Sequence, residues 1–184
     1  DRFYFISADY PGVAMAEVER RRGGACLFSL APAGNVNPIE RGREGKRKLG
    51  EALAGKVMEA AEDARPVGGE RLGAFVSRMR LPLKSFDVPP GVPEDDLVAR
   101  RMRYLRQLFG EAREVEAEVQ VLLVGDVALV GLPGEVFCEF GLRIKRESPF
   151  GDTVVISLAN HWEVSYVPTK EAYEEGGYEP VWSP

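Results

Sequence analysis

The sequence predicts an α/β fold, a mixed-sheet α/β sandwich, and three observations predict it. Val115, Ala117, Val119 and Val121 alternate with polar residues, the period of a strand with one buried face. Leu49, Leu53 and Val57 recur every four residues, the spacing of one helix face. Strand-like and helix-like segments also alternate along the chain, in the order β-α-β-α-β-α-β-β-α-β with a final short helix.

Taken in order, 2–8 (RFYFISA) reads as an aromatic-rich strand. Pro11-Gly12 turns into a helix over 13–22, because proline suits a first helical turn. The run 25–30 (ACLFSL) reads as a short buried strand, 31–43 as a loop and 44–64 as a helix. A strand over 74–83 carries Pro82, which assigns it to a sheet edge or a strand end. After a Pro-rich loop over 84–93, Glu94, Asp95 and Asp96 sit at the positive end of a helix that runs to Phe109. The strand beginning at Val115 turns at Gly125-Asp126 into a second strand over 127–132. Pro133-Gly134-Glu135 breaks that strand, and a helix over 136–146 follows. A strand over 152–159, a loop over 160–168 and a short helix capped by Thr169 complete the chain. No internal repeat and no linker divides the 184 residues, so one domain is expected.

Composition excludes several functions. Hydrophobic residues make up 45% and charged residues 29%, the balance of a chain that buries a core. The formal net charge of −5 argues against nucleic acid as a partner. The basic clusters at 20–22, 41–48 and 100–106 read as solvated helix faces. Cys26 and Cys138 have neither a disulfide framework nor zinc-finger spacing. His161 is the single histidine, so the chain alone has no multi-histidine metal site. No apolar run is long enough for a transmembrane helix. The chain opens on Asp1 rather than Met, and its true N-terminus is expected to lie upstream.

A few residues have chemistry beside an ordinary reading. Glu135 follows a buried strand and opens the next element, where ligands gather in open α/β sheets. A carboxylate at a helix start is held ionised and can bind a metal, although an ordinary first-turn glutamate fits the same spacing. Tyr166, Tyr173 and Tyr178 crowd the tail, where apolar bodies with bonded hydroxyls fit equally well. His161 beside Trp162 fits a hydrogen-bonded loop histidine. The glycines from Gly68 to Gly73 lack the context of a phosphate loop and read as a turn.

Four segments occur together and in order: Ser7-Ala-Asp-Tyr-Pro-Gly12, Gly34-Asn-Val-Asn-Pro38, Gly131-Leu-Pro-Gly-Glu-Val-Phe137, and Tyr166-Val-Pro-Thr-Lys-Glu-Ala-Tyr173 with Gly177-Tyr-Glu179. With them the chain resembles the neutral/alkaline non-lysosomal ceramidase family, over the second part of that family's catalytic domain. The resemblance implies a C-terminal portion of a larger catalytic domain. It implies a zinc-dependent amide hydrolase of sphingolipid metabolism that cleaves an N-acyl sphingoid or related N-acyl amide. It also implies one zinc ion held by two histidines, a glutamate and a tyrosine. By motif, Glu135 falls at the glutamate ligand, Tyr166 at the tyrosine ligand, and Tyr178 at the tyrosine that contacts the reacting carbonyl. Asn35 and Asn37 are expected to line the pocket. Family members are often secreted or membrane-associated.

The chain departs from the family twice. The two zinc histidines belong upstream of its first strand, so the 184 residues alone are expected to be inactive and to bind zinc weakly. Where the family has Gly-Asp-x-Ser-Pro with a serine nucleophile, this chain has Gly34-Asn35-Val36-Asn37-Pro38. An amide cannot replace that nucleophile, which points to attack by metal-bound water. The alternative is a catalytically inactive ceramidase-like binding or structural protein.

Overall fold

The structure, a computed structural model, describes residues 6–160 and 164–184. Contacts divide the described chain into two units, one of residues 6–29 and 37–66, the other of residues 30–36, 67–160 and 164–184. The first holds α1 (Asp9–Arg22) and α2 (Gly42–Glu62). Ala14 and Val18 of α1 are buried, as are Gly45, Gly50 and Ala54 of α2. The small residues let the helices approach closely, with Gly50 against Val13. The expected apolar face of α2 is only partly used, since Leu49 and Val57 each stay 39% exposed. Arg20 and Arg21 both pair with Glu17, and Arg47 pairs with Glu44 and Glu51. Those basic clusters are therefore solvated helix faces whose charge is answered locally.

Two expected strands lie in or beside this unit, one of them largely outside the described residues. Of 2–8, only residues 6–8 are described, and they have no regular structure. Residues 25–30 are not a buried strand: Leu27 is 94% exposed and, among the described residues, no ladder pairs with the segment. A short apolar run becomes a strand only when a partner satisfies its backbone groups.

The second unit is built on a four-stranded mixed sheet of β1 (Leu72–Pro82), β2 (Glu114–Val124), β3 (Val127–Gly131) and β5 (Asp152–Ile156), in that order across the sheet. β1, β2 and β3 pair antiparallel, and β3 pairs parallel with β5. Pro82 is the last residue of edge strand β1, a position where a missing N–H is tolerated, and pairing continues past it with Leu83 N donating to Arg113 O at 2.8 Å. β2 alternates as its sequence does, with Val115 and Ala117 buried and Glu114 and Glu116 exposed. Asp96 caps α3 (Leu97–Phe109) by accepting from Val98 N, so that helix begins later than the acidic run at 94–96 suggests.

A second sheet has two short strands in parallel, β4 (Glu135–Val136) and β6 (Tyr166–Val167). Between β4 and β5 lies α4 (Cys138–Glu147), and the chain ends with α5 (Lys170–Glu175) and α6 (Tyr178–Trp182). Thr169 caps α5 by accepting from Ala172 N at 3.3 Å, as expected. One part of the core joins Val130, Leu132, Val136 and Val155, with Phe140 and Ile144 of α4 against it. A second gathers Val115, Ala117 and Val164, and a third gathers Phe86, Met102 and Leu105. Each such aliphatic side chain contributes about 1.5–3 kcal/mol on burial.

Candidate functional site

The site residues meet just beyond the carboxyl ends of β3 and β5. Pairing of these strands continues past both ends, with Leu132 N donating to Ile156 O at 2.8 Å and Ala159 N to Leu132 O at 2.9 Å. The chain then turns at Gly134, whose φ is +70°. A Cβ there would collide with the carbonyl oxygens of Val164 and Ser165, so the approach of β6 requires glycine. Glu135 N donates to Ser165 O at 2.7 Å and Phe137 N to Val167 O at 3.2 Å. Glu135 is therefore not at a helix start. It lies on a strand, and the helix expected over 136–146 begins at Cys138. The strand expected over 152–159 likewise ends at Ile156, because Ser157 to Ala159 turn to serve this site.

Register sets Glu135 directly beside Tyr166, although 31 positions separate them. The Tyr166 phenol is pushed up to about 12, first by burial, then by the charge of Glu135 and its hydrogen bond to that carboxylate. The Tyr178 ring meets Tyr166 edge-on at 5.9 Å between centroids. Tyr178 remains 55% exposed, so its ring is open to an incoming molecule. Glu135, Tyr166 and Tyr178 thus form one constellation. His161 lies outside the described residues. Among the described residues, no cluster of three or more His, Cys, Asp or Glu side chains could hold a metal ion. Glu135 and Tyr166 bring two oxygen-bearing side chains side by side, whereas a structural or catalytic zinc site takes three or four protein ligands.

Gly34 packs against the far side of β4. Its N–H donates to Val136 O at 2.9 Å, and a Cβ on it would collide with Glu135 O. Asn35 is held by α4: its Oδ1 accepts from Cys138 N at 2.9 Å and its Nδ2 donates to both Glu139 oxygens at 3.0 and 2.9 Å. That side chain satisfies the first turn of α4, whose Phe137 N-cap offers no side-chain acceptor. Asn35 also lines an open cleft with Glu139, Glu171, Glu175 and Glu179. Asn37 is exposed and belongs to the helical unit. The Cys138 thiol is pushed up by burial and by Glu139, the opposite of an activated nucleophile.

Sequence reasoning missed Ser157. It is 5% exposed, its Oγ donates to Gly134 O at 2.8 Å, and it accepts from Val136 N at 3.4 Å. It therefore holds the backbone on both sides of Glu135. The available signal was one hydroxyl ending the apolar run Val154-Val155-Ile156.

The described chain is similar in structure to two solved ceramidases. One is neutral ceramidase from Pseudomonas aeruginosa, at 22% identity and a TM-score of 0.67 over 98% of this chain and 38% of that one. The other is a ceramidase complexed with C2, at 21% identity and a TM-score of 0.68 over 98% of this chain and 39% of that one. No family model matches the chain, and no curated protein matches it in sequence. Among the described residues, no helix is long and apolar enough to cross a membrane. The chain spans about two fifths of the length of the structures it matches, and what it shares with them is an α/β fold with a mixed sheet.

Proposed function

We propose that this chain contributes Glu135, Tyr166 and Tyr178 to the active site of a zinc-dependent amide hydrolase acting on N-acyl sphingoid or related N-acyl amides. The observation that carries this reading is the Glu135↔Tyr166 register beyond the ends of β3 and β5, with Tyr178 against Tyr166. The ceramidase likeness of the fold supports the same chemistry.

The donor set suits zinc at two positions. Without a cation, a carboxylate beside a buried phenol keeps that phenol protonated, as the direction at Tyr166 records. If these two side chains held a dication, Tyr166 would favour its phenolate form. Two histidines outside this chain would complete the shell. Held by Glu135, Tyr166 and those histidines, zinc would supply Lewis-acid chemistry to the amide carbonyl and to a water.

The remaining roles belong to this chain's residues. Tyr178, open on one side, donates its hydroxyl to the carbonyl oxygen as negative charge develops there. Ser157 and Gly134 hold the Glu135 backbone. A cleft of about 170 Å³ borders Tyr166 and is walled by Leu81, Val115, Val164 and Val167, a surface suited to an acyl chain. Asn37, at the position of the family's serine, has no nucleophilic oxygen to form an acyl-enzyme. That same asparagine favours a second reading, a ceramidase-like binding protein without turnover.

The test is hydrolysis of short- and long-chain N-acyl amides by the whole protein. Glu135→Ala should abolish turnover, whereas Asn37→Ala should lower it moderately and trap no acyl-enzyme. Turnover unchanged in both variants places the active site elsewhere. Binding without turnover in the unaltered protein establishes the second reading.

A further inference from the structure

Among the described residues the contacts of Tyr178 are rings, Tyr166 at 5.9 Å and Trp182 at 5.2 Å, with no hydrogen bond anchoring its hydroxyl. A ring held in this way goes wherever its helix goes. That helix, α6, has only five residues, too few to be stable without outside contacts. Its last carbonyls also lack helical partners.

Two cations from distant parts of the chain meet those carbonyls. Lys84 Nζ, from the loop after β1, donates to Pro180 O and Val181 O at 2.7 Å each. Arg101, from α3, donates through Nη2 to Trp182 O at 2.7 Å. Its guanidinium also lies over the Trp182 ring, 5.1 Å from the centroid, and over the Tyr104 ring at 5.4 Å. Among the described residues neither cation has a carboxylate in ion-pair range.

We propose that Lys84 and Arg101 are positioning residues: they hold the carbonyl end of α6 and, through Trp182, keep the Tyr178 ring against Tyr166. The claim that this serves catalysis rests on the hydrolase reading above; the claim about placement does not. The arrangement is costly for stability alone. Lys84 is pulled down to about 8, first by burial and then by the charge of Arg101. Arg101 in turn has a buried Nε without a hydrogen-bond partner among the described residues. Two half-buried like charges are tolerated where the geometry they enforce is needed.

Ring-to-ring contacts in the 184-residue chain, measured by NMR, test placement without metal or substrate. Lys84→Met and Arg101→Met should each lose the Tyr178–Tyr166 contact and keep the Val130–Val155 contact between β3 and β5. Lys84→Arg, which still donates to carbonyls, should retain both. Persistence of the Tyr178–Tyr166 contact in both methionine variants overturns the proposal. So does simultaneous loss of the Val130–Val155 contact in both, which would make the two cations general structural residues. In the whole protein, Lys84→Met should lower kcat by about a hundredfold, since small misplacements of reacting groups cost that much. KM and zinc content should stay unchanged and Lys84→Arg should restore turnover. Loss of the ring contact with kcat unchanged would overturn the catalytic role. An unaltered protein without turnover would remove the hydrolase reading and leave the placement result standing.

Discussion

Where β1 meets β2, eleven residue pairs run in register from Leu72↔Val124 to Pro82↔Glu114; where β4 meets β6 there are two, Glu135↔Tyr166 and Val136↔Val167. The long ladder is redundant. Its backbone bonds repeat, and much of β1 is exposed, including Phe75 at 59% and Val76 at 52%. The short ladder has no redundancy. It depends on a glycine that admits β6, a second glycine behind it, and a buried serine that fixes the turn. The candidate chemistry lies on the short ladder, where each contact is specific and the loss of one is felt.

That contrast can be broken most severely at Gly134. Gly134→Ala forces a positive φ on alanine and drives its Cβ into Val164 O and Ser165 O. Chemical denaturation should show a loss of at least about 3 kcal/mol. In the long ladder, Gly73→Ala meets only side chains of Phe75 and Leu123 as its closest neighbours and should cost below about 1 kcal/mol. Equal costs at the two glycines would remove the distinction between the ladders.

Ser157→Ala is the next test. It removes the donor to Gly134 O and the acceptor for Val136 N, and should cost about 1–3 kcal/mol by the same measurement. The Leu158 N–H still serves Gly134 O, so the chain should fold. A cost indistinguishable from zero would mean that Ser157 does not hold the turn.

A smaller effect sharpens the comparison through pH. The folded Tyr166 phenol titrates near 12, whereas an unfolded tyrosine titrates near 10. The raised value therefore stabilises the fold fully below about 10, and that contribution is lost as pH rises through about 12. Ultraviolet titration should show a tyrosinate step near pH 12 that Tyr166→Phe deletes. Survival of that step in the variant would place the perturbed phenol elsewhere.

The long ladder was legible in sequence because its information is local. Alternation from Val115 to Val121 and the Gly125-Asp126 turn identify β2, β3 and their hairpin, and Thr169 identifies the start of α5. The resemblance brought Glu135 and Tyr166 together, but the short ladder that does so was not legible, since two residues have no period and their pairing depends on a segment 31 positions away. Pro133-Gly134-Glu135 marked the place but suggested a helix start, because a Pro-Gly break before a carboxylate fits either structure. Residues 25–30 erred in the opposite direction: a strand-like composition found no partner strand among the described residues. Asn35 stood out through a resemblance, yet its amide is occupied at the start of α4. Lys84 and Arg101 were anonymous among other cations, as nothing nearby in sequence indicates the carbonyls they reach.

The central claim is that Glu135 and Tyr166 act as one pair of donors to a metal ion. Zinc content of the purified whole protein, compared with Glu135→Ala and Tyr166→Phe, tests it most directly. We expect about one zinc per unaltered chain, as for a single four-ligand site, and a large loss in each variant. Full zinc retained in both variants, or none in the unaltered protein under zinc-replete conditions, would contradict it.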